Sequence, residues 1–240
     1  MSLPRTLPVA LVAGTLMYLP AVALRTVLTA SPSAAATVQA PSFLARASGF
    51  LLLASIVLVV MAVEARKTGW AQFGFRRSAG GWGASAGAAA ALGVVSSVVL
   101  GVVSGGGLDA TLKGMSPGLV VAMVLIATFV EELFVRGWML GFLQADVDVG
   151  TSRARVVSAP VLTSALFFAA MHGTLARAGI DLATLATILV FTTLLGICCG
   201  IARVRSRSLL PAIATHFAGN LGGIAGGILC TALFGLPKVA

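Results

Sequence analysis

Apolar runs long enough to cross a bilayer recur along the whole chain, at about residues 7–24, 47–63, 83–103, 118–143, 158–173, 182–201 and 209–236. Since a spanning helix needs roughly 20 apolar residues, they predict an all-α fold, a polytopic transmembrane helical bundle of about seven or eight spans. The count turns on the last run, where Gly222, Gly223, Gly226 and Gly227 could divide it into two shorter pieces. Composition excludes the alternatives. The 240 residues are 58% hydrophobic and 10% charged, whereas a soluble domain has roughly 45–50% apolar and about 25% charged residues. Disorder requires low hydrophobicity and high charge. There is no internal repeat and no soluble domain, so 1–240 reads as one integral membrane unit.

The net charge of +9 would suggest nucleic acid in a soluble protein. Here it reads instead as the Lys/Arg excess that orients membrane proteins, with no nucleic-acid partner. Arg5, Arg66, Lys67, Arg76, Arg77, Arg153, Arg155, Arg203, Arg205 and Arg207 fall on one side of the alternating spans. Arg25, Arg46, Lys113, Arg177 and Lys238 fall on the other. Ten against five predicts a cytoplasmic N-terminus. The Ala- and Arg-rich composition suggests a bacterial inner membrane. The first run follows Arg5 and resembles a signal peptide, but it is long for one and contains Pro20 and Tyr18, so a retained helix is expected. Residues 25–46, rich in Ser, Ala, Pro and Thr, read as a linker. Residues 68–82, with Trp70, Phe73, Phe75, Arg76 and Arg77, read as an interfacial segment. Cys198, Cys199 and Cys230 lie in apolar runs without metal-ligand spacing and read as small hydrophobes.

The chain has seven acidic residues and two histidines. Glu64, Asp109, Asp146, Asp148 and Asp181 fall in loops or at span ends, but Glu131 and Glu132 lie roughly 20 Å into the fourth span. A carboxylate at that depth is a functional-site candidate unless paired. Glu132 and Arg136 are four apart, share a helix face and read as a structural ion pair. Glu131 points about 100° away from Glu132 and about 140° from Arg136. Its partner must come from another helix. His172 and His216 both lie in spans, Phe168 sits one turn before His172, and Asn220 one turn after His216. A carboxylate, two imidazoles and an amide suit the addition of water to a carbonyl: a base for the water and donors for the oxyanion.

Glu131-Glu132-Leu133-Phe134-Val135-Arg136 is an EExxxR pattern, Phe168 to His172 an FxxxH pattern, and His216 to Asn220 an HxxxN pattern. In this order on apolar helices they resemble the CPBP family of intramembrane proteases, which includes type II CAAX prenyl proteases and bacteriocin-processing or immunity (Abi) proteins. The resemblance covers about residues 119–221. It sets a catalytic core at 118–236 apart from N-terminal spans, 1–110, that carry no motif beyond the basic stretch Gly74-Phe75-Arg76-Arg77. It implies a site inside the bilayer in which Glu131 activates water, His172 helps hold it, and His216 and Asn220 stabilise the oxyanion. Glu132 and Arg136 correspond to a structural pair. The family has been described both as metalloproteases and as metal-free glutamate proteases. The absence of HExxH favours the metal-free reading here. A zinc site, if present, would use Glu131, His172 and His216.

The function expected is an intramembrane endopeptidase acting on a peptide or membrane-tethered protein substrate. Two other readings stand beside it. One is a non-catalytic immunity or scaffold protein of the same family. The other is a proton-coupled transporter, since buried Glu and His mark those pathways too.

Overall fold

The computed structural model describes residues 6–29, 43–104, 117–145, 157–178 and 180–234. Among these residues there are no strands and seven helices long and apolar enough to span a membrane. They are α1 (Leu7–Thr29), α2 (Phe43–Thr68), α3 (Gly83–Ser104), α4 (starting at Pro117–Glu132), α5 (Ala159–His172), α6 (Leu182–Ser206) and α7 (Leu209–Phe234). The protein is a polytopic transmembrane helical bundle.

Its surface is apolar where it must meet lipid. Leu16, Val59, Val102, Leu210 and Ile228 are all more than 60% exposed, a pattern that suits hydrocarbon and not water. The charged side chains Glu132, Arg136 and Arg203 are buried instead.

Two elements differ from the sequence expectation, and a third settles a point that the sequence leaves open. The linker expected at 25–46 is shorter, because α1 continues to Thr29 and α2 begins at Phe43; the remainder lies outside the described residues. The last apolar run is one helix and not two. A Cβ on Gly222 would collide with the Ala90 carbonyl of α3, one on Gly93 with the Gly219 carbonyl of α7, and one on Gly226 would come 2.5 Å from the Val94 carbonyl oxygen. The glycines therefore let two backbones touch, as small residues do between membrane helices. In a bilayer the freed backbone groups would find no water, so glycine there does not open the helix. Gly222→Leu is expected to cost at least about 1–3 kcal/mol by overpacking, and to lower the midpoint of thermal unfolding in detergent.

The second difference is inside α4. After Glu132 the helix widens into a π segment, Leu133–Met139, and then returns to α geometry over Leu140–Ala145. The Leu140 N–H donates to the Val135 carbonyl, five residues back. Every residue of the π segment is buried. Such bulges interrupt the side-chain register of a helix and are frequent at functional sites.

The segment after α2 is tied to the α6–α7 corner. A short 3-10 turn, Trp70–Phe73, buries Phe73, while Trp70 and Phe75 pack edge to face outside. The Leu209 N–H donates to the Gly74 carbonyl, the Ala79 N–H to the Ser206 carbonyl and the Arg76 Nε–H to the Arg207 carbonyl. Arg203, counted from sequence among the cations of one side, is buried and donates to the Gln72 carbonyl. Residues 66–77 and 203–207, both basic, thus share one end of the bundle, as alternating spans require.

Candidate functional site

The site is assembled from four helices around the start of the π segment. Glu132 and Arg136 form the pair expected from their spacing: Arg136 Nη1 donates to Glu132 Oε1 at 2.9 Å, with both side chains fully buried. Two further contacts fix the guanidinium. Its Nη2 donates to the Gly196 carbonyl of α6 at 2.9 Å, and its carbon lies 4.7 Å over the Phe168 ring. A Cβ on Gly196 would lie 2.9 Å from Arg136 Nη2, so only glycine admits this approach.

Glu132 has a second partner that sequence reasoning did not find. The same Oε1 accepts from Nδ1 of His216 at 2.9 Å. Because a carboxylate oxygen accepts, that nitrogen carries the hydrogen. The Nε2 atom of His216 is then turned toward Glu131, whose Oε2 lies 3.8 Å away. So Arg136, Glu132, His216 and Glu131 form a chain across α4 and α7. The partner that Glu131 had to find on another helix is His216, at a separation longer than a direct hydrogen bond.

His172 lies with Glu131 on the wall of one cavity. Its Nδ1 is 2.9 Å from the Phe168 carbonyl, which can only accept, so Nδ1 carries the hydrogen here as well and Nε2 is left for another partner. Phe168 does more than pack against one ring. It meets His172 edge to face at 4.9 Å and His216 at 5.4 Å, with Arg136 above it. Asn220 projects from the same face of α7 as His216, and its amide donates to the Thr128 hydroxyl of α4 at 2.8 Å.

The site thus gathers all seven residues singled out from sequence: Glu131, Glu132, Arg136, Phe168, His172, His216 and Asn220. It also includes residues that carried no motif. Thr128 was unremarked in an apolar run. Cys199, read as a small hydrophobe, brings its sulfur beside Glu132 and His216; the ligand atoms of these three lie within 4.8 Å of one another. Tyr18 of α1 reaches the cavity, donating from its hydroxyl to the Met171 carbonyl at 3.1 Å. It is the only tyrosine in the chain, which was the one signal available.

Glu132, Cys199 and His216 are, among the described residues, the one such group of three His, Cys, Asp or Glu side chains. The trio Glu131, His172 and His216, expected for zinc, is not gathered in that way. In the set that is gathered, Glu132 Oε1 already accepts from a guanidinium and an imidazole at 2.9 Å, so a cation there would lie beside the fixed positive charge of Arg136.

A carboxylate–guanidinium–imidazole network buried between membrane helices, with Glu131 and His172 on the wall of a cavity, makes this the candidate functional site. The segment of residues 113–222, a little under half of the chain, matches the family model for type II CAAX prenyl endopeptidase Rce1-like proteins, a protease family. All seven residues lie within it, while Tyr18 lies outside. Comparisons with curated proteins and with solved structures give no match.

Proposed function

We propose that the protein is an intramembrane endopeptidase that hydrolyses a peptide bond of a membrane-associated substrate without a metal. The observation that carries this reading is the facing of Glu131 Oε2 and His216 Nε2 at 3.8 Å, with His172 on the same cavity wall. Structural pairing accounts for Glu132 and Arg136. It does not account for a second carboxylate turned into a cavity.

In the reaction a water molecule bound by Glu131, with His172 Nε2 helping to hold it, attacks the carbonyl carbon of the scissile bond. Glu131 takes its proton as the oxygen–carbon bond forms. The carbonyl oxygen becomes an oxyanion, to which His216 donates from Nε2 as the imidazolium and Asn220 from its remaining amide N–H. When the tetrahedral centre collapses, the carbon–nitrogen bond breaks, and Glu131 returns the proton to the departing amine. The products are a carboxylate and an amine. Glu132 positions His216 by accepting from Nδ1, and Arg136 holds Glu132 in place.

The ten-to-five Lys/Arg asymmetry favours a cytoplasmic N-terminus in a bacterial inner membrane. A cysteine introduced at exposed position 205 is then expected to resist labelling by an impermeant maleimide in intact cells; labelling there would reverse the orientation.

The function is tested by comparing termini of membrane proteins in cells carrying the wild type and Glu131→Ala. A new terminus in wild-type cells alone is the expected result and identifies the substrate. Identical termini in both would favour the scaffold reading. Purified protein is expected to keep its activity in chelator, and inhibition reversed by zinc would overturn the metal-free mechanism.

A further inference from the structure

The corner where the segment after α2 meets the α6–α7 turn holds a charge that no described carboxylate answers. Arg203 is only 3% exposed. Its Nη2 donates to the Gln72 carbonyl, while its Nε has no acceptor and faces Gly74, where a Cβ would come within 2.7 Å of it. A second guanidinium deepens the imbalance. Arg76 lies within electrostatic range of Arg203, and its Nε–H is taken by the Arg207 carbonyl. Backbone carbonyls satisfy hydrogens but carry no net charge. The carboxylates among the described residues are all elsewhere. Glu131 and Glu132 belong to the cluster around His216, Glu64 meets Trp138, and Asp181 caps the opposite end of α6. Among the described residues no ion pair reaches Arg203 or Arg76, and a buried charge without a counter-charge is costly.

The surroundings indicate which anion belongs there. Leu210, 68% exposed, follows directly on Leu209, whose N–H bonds to the Gly74 carbonyl; Trp70 and Phe75 are exposed beside Arg76. Aliphatic surface next to exposed aromatic rings and arginines marks the boundary between hydrocarbon and headgroups. We infer that Arg203 and Arg76 together bind the phosphate of an anionic phospholipid, with its acyl chains against Leu210. Guanidinium is suited to phosphate by its planar fork of donors, and basic pockets between spans hold anionic headgroups in this way. A zwitterionic choline headgroup fits worse, because its cation would bring a third positive charge to the corner. The bound lipid ties the 70–79 segment to α6 and α7, adding to the bonds Leu209 to Gly74, Ala79 to Ser206 and Arg76 to Arg207. This site is independent of the proteolytic reading.

The test uses the full-length protein, purified and delipidated in mild detergent. Phosphatidylglycerol and phosphatidylcholine with the same acyl chains compete for it, and native mass spectrometry reads the first lipid bound. The expected result is a preference for phosphatidylglycerol of roughly tenfold or more, the order expected for two cations at a headgroup. Arg76 is exposed, so Arg76→Gln should fold, and it should remove most of the preference. Arg203→Lys keeps the charge and loses the fork, and should fall between the two. The control Arg66→Gln/Lys67→Gln removes two exposed charges from the same end of the bundle and should keep the preference. Equal affinity for the two lipids in the wild type overturns the inference. So does an unchanged preference in Arg76→Gln, or an equal loss in the control, which would mean a diffuse attraction and no site. Inorganic phosphate supplies the second source of the same chemistry. If it raised the midpoint of thermal unfolding as far as phosphatidylglycerol does, and Arg76→Gln abolished the rise, the occupant would be a free anion and the lipid assignment would fall.

Discussion

Glu131→Gln is expected to abolish cleavage while leaving the fold and substrate binding intact. The amide keeps the shape of the carboxyl group and removes its ability to take a proton from water. General-base catalysis contributes roughly a hundred- to ten-thousandfold, and the neighbouring carboxylate does not replace it, because Glu132 is engaged by Arg136 and His216. The structure also ranks the neighbours. His216→Ala removes both the group facing Glu131 and a hydrogen bond to the buried Glu132, so activity should fall nearly as far, with some loss of stability. His172→Ala removes a group on the cavity wall, and its hydrogen bond to Phe168 is local to one helix, so it should be severe in rate and mild in stability. Asn220→Ala should be the mildest of the four, at or below the roughly hundred- to thousandfold expected for one oxyanion donor, because one of its amide hydrogens is engaged by Thr128. Single-turnover cleavage of a fluorogenic peptide by purified variants measures the order. A Glu131→Gln protein cutting at the wild-type rate would end this mechanism.

The spans were readable because hydrocarbon imposes a length and a polarity on every segment. The cluster of site residues was readable for a related reason: in so apolar a chain, a buried Glu or His has few explanations. What sequence concealed were relations between helices. The spacing of Glu132 and Arg136 gives their pairing within one helix, but the bond from His216 to Glu132 depends on where α7 meets α4, and no local pattern encodes that. The π segment was hidden because the periodicity used to read α4 assumes 3.6 residues per turn throughout. Cys199 looked like filler because its chemistry depends on its neighbours across the bundle. Arg25 was assigned to a linker since the Ser, Ala and Pro that follow it signal a turn, whereas α1 carries it to Thr29 and into the cavity.

Arg136→Ala is expected to have the largest effect on stability. Arg136 joins α4 to α6 through the Gly196 carbonyl, lies on Phe168 of α5, and neutralises Glu132. Removing it strands a fully buried carboxylate and a carbonyl, and breaking a buried pair in this way costs roughly 3–5 kcal/mol. Folded protein recovered from membranes should fall sharply, as read by size-exclusion chromatography in detergent. Because Glu132 also accepts from His216, lost activity alone would not separate structure from chemistry. The double substitution Glu132→Gln/Arg136→Met does separate them. It removes both buried charges at similar volume, a change that is often neutral or stabilising, so folded protein should recover. Activity should not, because the carboxylate that holds His216 Nδ1 is gone. A stable single Arg136→Ala protein without activity would instead move Arg136 from the scaffold into the chemistry. Full activity in the double variant would show that His216 needs no carboxylate behind it.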